Sequence, residues 1–210
     1  MIKVIPFIYD NFDDLYANTY VLIDDKKQCV IIDPAKNYDG LVNYVKKNDL
    51  VPKGILITHG HVDHIRGVDT LVNAFNVQTF IGFDDLDKLT DTFQNCSEFL
   101  GEKVIVKAKA ETIADGDILH LLDEDIIVIY TPYHTSGSVC FYLKDSGVIF
   151  TGDFIIPHGI GRCDLPSAKP HELKKSLAKI ISLPKDIKIY GGHEKPSTLE
   201  TEMRINQYVK

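Results

Sequence analysis

The sequence predicts an α+β fold, a four-layer αββα sandwich of two mixed β-sheets packed on each other with helices on the outer faces. Three observations lead there. Short β-branched and apolar runs come in two groups, each followed by amphipathic helical stripes, in place of strict β-α alternation. No glycine-rich phosphate fingerprint follows the first strand, which argues against a dinucleotide-binding doubly wound sheet. Finally, 210 residues without a legible linker, low-complexity stretch or repeat suit one domain over 1–210, large enough to bury a substantial core.

Taken in order, residues 2–9, 19–24 and 28–33 read as an antiparallel meander, with the polar turn Asp24-Asp25-Lys26-Lys27 joining its last two strands. Tyr38, Leu41, Val42 and Val45 recur at helical spacing and predict a helix ending near Asn48, stopped by Pro52. Gly54 to Ile57 is a strand, Ile65, Val68, Val72 and Phe75 mark a second helix, and Val77 to Ile81 is another strand. The acidic stretch 82–100, with Asp84, Asp85, Asp87 and Asp91, reads as surface helix and loop presenting a solvated face. Strands at 118–122, 126–131, 139–143 and 148–151 follow, then a helix with Leu173, Leu177, Ile180 and Ile181 on one face between Pro170 and Pro184. The strand Ile187 to Tyr190 and a short polar helix close the chain.

Apolar residues at 44% and charged residues at 25% are ordinary for a soluble globular protein and exclude the disordered class. A formal charge of −7 argues against a nucleic-acid footprint or attachment to an anionic membrane, both of which need clustered Lys and Arg. The start has one Lys, then Pro6, then acids at Asp10, Asp13 and Asp14, which is unlike a signal peptide. No apolar run approaches the ~20 residues needed to span a bilayer. Cys29, Cys96, Cys140 and Cys163 are far apart and form no C-x-x-C pair, so reduced thiols in a cytoplasmic protein are the expectation.

The stretch Thr58-His59-Gly60-His61-Val62-Asp63-His64 holds three of the chain's eight histidines and a carboxylate directly after a strand. Imidazole nitrogen and carboxylate oxygen suit Zn²⁺ and its first-row neighbours, so this is first a metal-site candidate. Three more predicted strands also end in metal-capable residues: one runs into Thr131-Pro132-Tyr133-His134, one into Thr151-Gly152-Asp153, and one into Gly191-Gly192-His193. Strand ends on one rim of a packed sheet are close in space, and the loops that follow can aim side chains inward. Each residue alone would more often be structural; their shared placement points to one site. His120 reads as a strand residue, His171 as a surface residue near a helix start, His158 as a loop residue bordering the site, and Cys163 as an ordinary thiol.

With these blocks, and with Asn18-Thr19-Tyr20, Asp33-Pro34, Thr135-Ser136-Gly137-Ser138, Gly161 to Pro166, Ser197-Thr198-Leu199 and Glu202 to Asn206, the chain resembles the metallo-β-lactamase-fold hydrolases. The closest resemblance is to single-domain relatives of glyoxalase II, the hydroxyacylglutathione hydrolases. The resemblance implies that His59, His61 and His134 hold one metal, Asp63, His64 and His193 a second, and that Asp153 bridges them. It implies two divalent ions, zinc foremost, with iron or manganese also accepted by such donors. The β-lactamases proper carry arginine at the place of His64 and a cysteine in the second site, so His64 sides with the thioester-hydrolase branch. The implied reaction is attack of activated water on a small-molecule thioester such as S-D-lactoylglutathione, with Asp63 orienting the nucleophile. Tyr133, standing where the family usually has glycine, would narrow the site or add a hydroxyl to it. Arg162 would meet a substrate carboxylate or else pair with Asp164. Only 17 residues follow His193, so the helical C-terminal domain that helps hold glutathione in full-length glyoxalase II is not expected.

Rival readings remain open at this point. The persulfide dioxygenases resemble the chain in several blocks, including Gly159-Ile160-Gly161-Arg162-Cys163-Asp164, and use one iron on the counterparts of His59, His134 and Asp153. Lactone and phosphodiester hydrolases share the fold, although the acidic balance weighs against a tRNA-processing nuclease. A non-catalytic metal-binding module is disfavoured because every ligand position is filled.

Overall fold

Strands buried on both faces decide the architecture. The computed structural model describes residues 1–9, 16–37 and 39–209; Tyr38, Asp10, Asp13 and Asp14 lie outside the described residues. In the first half, β1 (Lys3–Phe7), β2 (Thr19–Ile23), β3 (Gln28–Ile32), β4 (Val51–Ile57), β5 (Thr79–Gly82) and β6 (Ala110–Ile113) form one sheet in sequence order. The first three strands are the predicted antiparallel meander, while β3 to β6 run parallel. In the second half, β7 (Ile118–Leu119), β8 (Ile126–Tyr130), β9 (Val139–Leu143), β10 (Val148–Gly152), β11 (Lys188–Gly191) and β12 (Ser197–Thr198) form the other sheet. Its pairs are antiparallel except β10 with β11.

Because successive strand side chains point to opposite faces, each sheet splits its apolar residues between two cores. Tyr20, Leu22, Leu56, Phe141 and Phe150 meet between the sheets. Val21, Ile31, Ile55 and Ile57 face outward instead, and are covered by α1 (Asp39–Lys47) and α3 (Val68–Phe75) through Leu41, Val45, Val68 and Leu71. Cys140, Ile149 and Ile189 on the far side are covered by α4 (Leu173–Ile181) and α5 (Leu199–Ile205). The four αββα layers are therefore two mixed sheets with a helical cover on each outer face. Among the described residues no helix is long and apolar enough to cross a membrane.

Four expectations need correction. Pro52 does not merely stop α1: it sits within β4 opposite Cys29, where the ladder shifts register and a missing N–H is tolerated. The stripe from Ile65 to Phe75 is two helices, α2 (Val62–Ile65) and α3, broken where the Gly67 N–H donates to the Pro34 carbonyl at 2.7 Å. The short, polar β6 was absent from the hydrophobic pattern, and the strand expected over 118–122 is reduced to Ile118–Leu119. The acidic stretch is not simply a solvated face. Its first part is a 3₁₀ helix, Phe83–Leu89, in which Asp85 is fully buried and Lys88 nearly so.

Candidate metal centre

Four strand ends meet at one edge of the sandwich. β4 delivers Thr58 to His64, β8 leads to His134, β10 to Asp153 and β11 to His193. The sheets are tied together at this edge, since the Val139 N–H donates to the Thr58 carbonyl at 2.9 Å. Space is so tight that a Cβ on Gly192 would lie 2.2 Å from Asp153 Oδ1 and 2.7 Å from His64 Cε1, so only glycine fits there.

All seven predicted ligand residues come together. His61 Nδ1 lies 3.1 Å from His59 Nε2 and 2.9 Å from His134 Nε2, forming one convergent set. His64 Nε2 faces Asp63 Oδ2 at 3.6 Å, and His193 Nε2 approaches the same oxygen at 3.3 Å, forming a second. Asp153 stands between them, with Oδ2 at 3.6 Å from His134 Nε2 and 3.5 Å from His193 Nε2, and Oδ1 at 3.4 Å from His64 Nε2. Within each of the triads His59/His61/His134, His59/His64/Asp153 and Asp63/His64/His193, the donor atoms lie within 4.8 Å of one another.

The outward ring nitrogens are held by the fold. His134 Nδ1 donates to the Arg162 carbonyl at 2.7 Å, which leaves the Nε2 lone pair directed into the site. His64 Nδ1 meets Asp33 Oδ2 at 2.9 Å, and the same Asp33 carboxylate accepts the Thr58 N–H at 2.8 Å and hydroxyl at 2.6 Å. Asp33 sits at a positive φ of 48° immediately after β3. Asn18 secures the last ligand loop: its Nδ2 donates to the Gly191 and Glu194 carbonyls, and its N–H to the Gly192 carbonyl.

Charge inside the cluster is arranged in two kinds. Burial, with neighbouring histidines, pushes His59 well below the usual imidazole range, and burial with His134 pushes His61 down to about 3, so both are neutral donors. Burial works against a charged His64, yet the Asp63 and Asp33 carboxylates hold it well above that range. Asp153 raises His193 to about 10. Burial opposes ionisation of Asp63, but His64 and His193 pull it down to about 2; His193 and His64 likewise hold Asp153 well below the carboxylate range against its own burial.

The residues present fit divalent cations. His64 Nε2 and Asp153 Oδ1 are buried, face each other at 3.4 Å and have no hydrogen-bond partner. Buried polar atoms are normally satisfied. Three imidazole nitrogens aimed at one point beside a carboxylate-rich pair give donor sets for two ions, with Asp153 reaching both.

The other predicted residues stand differently. The Arg162 guanidinium is exposed at the cavity mouth and forked onto Asp164 at 2.6 and 2.7 Å. Tyr133 does not face the site: it is nearly buried in the outer core of the second sheet, its ring 6.2 Å from that of Phe154 in an edge contact. A backbone turn, Tyr133 N–H to the Thr135 carbonyl, directs His134 inward and Tyr133 outward. His158 borders a different surface, and Cys163 packs beside the outer core.

Two functional positions escaped the sequence reading. Asp33 follows a strand end as the ligands do, and in the sequence nothing but the Asp33-Pro34 block marks it. Asp85 carried no signal, being one acid among several. Its carboxylate accepts the Gly60 and Gly137 N–H groups, each at 2.8 Å, and the Thr135 hydroxyl at 2.7 Å, and pairs with Lys88 at 2.7 Å. It therefore clamps together the loops bearing His59, His61 and His134.

Comparison with known proteins agrees with this geometry. Residues 13–193 match the metallo-beta-lactamase superfamily. The chain is 30% identical over 197 residues to the "Probable metallo-hydrolase YqgX" of Bacillus subtilis, covering 93% of each chain. It is 31% identical over 203 residues to the "Hydroxyacylglutathione hydrolase GloC" of Haemophilus influenzae, covering 91% of this chain and 92% of that one. Among solved structures, BLEG-1 B3 metallo-beta-lactamase superposes with a TM-score of 0.91 at 31% identity over 100% of both chains. The di-iron-bound form of TTHA1623 gives 0.86 at 28% identity, over 97% of this chain and 99% of that one. Fold, donor set and sequence similarity agree, and the chain belongs to the metallo-beta-lactamase superfamily.

Proposed function

We propose that the protein is a binuclear metal-dependent hydrolase that cleaves a small-molecule thioester, with zinc as the first metal to test. The observation that carries the reading is His64. Its Nε2 is buried, unpartnered and aimed at Asp63 and Asp153, so the second donor set is complete. Similarity to a hydroxyacylglutathione hydrolase supports the thioester class. The reading includes one domain, no nucleic-acid or membrane partner, and a reducing cytoplasm in which all four cysteines stay free.

His59, His61 and His134 would hold one ion, Asp63, His64 and His193 the other, and Asp153 both. Bound there, divalent ions supply Lewis acidity toward a carbonyl oxygen and acidify water. The chain supplies the rest. Asp63 lines the cavity of about 340 Å³ over the cluster and presents a carboxylate to orient the nucleophile. No serine or cysteine nucleophile is needed, and the thiolate leaves readily because thiol pKa values lie near about 8.5. The test is elemental analysis of protein purified without added metal, paired with turnover of S-D-lactoylglutathione. Two metals per chain with thiol release is the expected result. One iron per chain with oxygen uptake on glutathione persulfide would overturn it.

A further inference from the structure

The cavity over the metal centre has walls that the donor set does not account for. Val62, Phe99 and Leu100 enter it from the first half of the chain, and Ile156, Ile160 and Leu165 from the second. Phe99 and Leu100 belong to a 3₁₀ turn, Ser97–Leu100, and remain 54% and 39% exposed. Phe99 also makes an edge contact with Phe93, centroids 5.3 Å apart, and Phe93 is itself 49% exposed. Contiguous exposed apolar side chains beside a polar centre mark a surface that something apolar covers.

Charge at the mouth excludes one class of occupant. Among the described residues, and apart from the ligand histidines, Arg162 is the only cation lining the cavity. Both oxygens of Asp164 already accept from its guanidinium. Glutathione carries two carboxylates and one ammonium, so its thioesters would bring a net negative charge to a mouth whose one described cation is already paired.

We infer that the preferred substrate is a thioester with an apolar acyl group and an uncharged thiol; this rests on the hydrolase reading above. The acyl chain lies against Phe99, Leu100, Ile156, Ile160 and Leu165, with its carbonyl over the cluster. Hydrolysis breaks the C–S bond and adds the elements of one water, oxygen to the acyl carbon and a proton to the departing thiolate or to solvent, giving carboxylic acid and thiol.

The experiment compares kcat/KM of the metal-loaded full chain for S-acetyl-, S-butanoyl- and S-hexanoyl-N-acetylcysteamine and for S-D-lactoylglutathione. Each added methylene should raise kcat/KM by up to roughly fourfold, and the hexanoyl ester should exceed S-D-lactoylglutathione. Phe99→Ser and Leu100→Ser, both at exposed positions, should flatten the chain-length series at unchanged metal content. Equal rates across the series, or a preference for S-D-lactoylglutathione, would overturn the inference and leave the hydrolase reading intact. A calorimetric arm uses the thioether S-hexyl-N-acetylcysteamine, which cannot be hydrolysed. If no thioester is cleaved but this thioether binds and Phe99→Ser abolishes the binding, the hydrolase reading falls and the apolar site stands.

Discussion

At His64, one ring nitrogen meets Asp33 Oδ2 at 2.9 Å while the other faces the carboxylates of Asp63 and Asp153. The side chain is fully buried, so its orientation is fixed by the fold before any ion arrives. His64→Ala removes a donor from the second set only, and protein carrying it should bind about one metal per chain instead of two by elemental analysis. Asp33→Asn keeps the ligand but loses the carboxylate behind it, and should weaken that same position by about 10- to 100-fold. If metal content and affinity were unchanged in both, the division of ligands between two positions would be wrong. The residue scale is also where the candidate site is most legible in the sequence: His, Asp and their spacing are visible without a structure, and the seven residues they single out converge. It failed at Tyr133, whose neighbour His134 points inward, because a single turn decides which of two adjacent side chains faces the cavity.

Among the elements, the 3₁₀ helix Phe83–Leu89 matters most beyond the strands themselves. It places a buried Asp85–Lys88 pair, 2.7 Å apart, behind two ligand loops. Removing one partner of a buried pair leaves the other charge stranded, so Asp85→Asn should cost about 3–5 kcal/mol in denaturant unfolding. Adding Lys88→Met should recover much of that loss; an Asp85→Asn protein as stable as the parent would show that the clamp contributes nothing. This element was illegible in the sequence because a buried acid and a solvated acid look alike until the partners are known. The strands and helices with clear periods of two or 3.6 were legible, since burying one face forces that pattern. Short polar β6 and β12, held by neighbours rather than by their own side chains, were not.

Over the whole molecule, the metal-free protein should have its own pH preference. His193 is raised from an ordinary 6.5 to about 10, so its contribution to stability is complete below 6.5 and is lost as pH rises toward 10. Asp63 is lowered from 3.8 to about 2, so its contribution is present above 3.8 and is lost as pH falls through about 2. These two groups favour the metal-free fold most between 3.8 and 6.5. Cation binding must displace the proton on His193, and on His64 as well, so loading near pH 7 should release protons. A metal titration in weak buffer with a pH indicator reads this directly, and uptake without acidification would contradict the charge assignment.

The bond from the Val139 N–H to the Thr58 carbonyl crosses between two sheets that are otherwise built from separate halves of the chain. His59 to His64 come from the first half, and His134, Asp153 and His193 from the second. Ions held by both would act as a cross-link in a protein whose four cysteines make none. Chelation would then unfasten this seam before the helices loosen, and the Val139 amide should become one of the first protected positions to exchange its hydrogen with solvent.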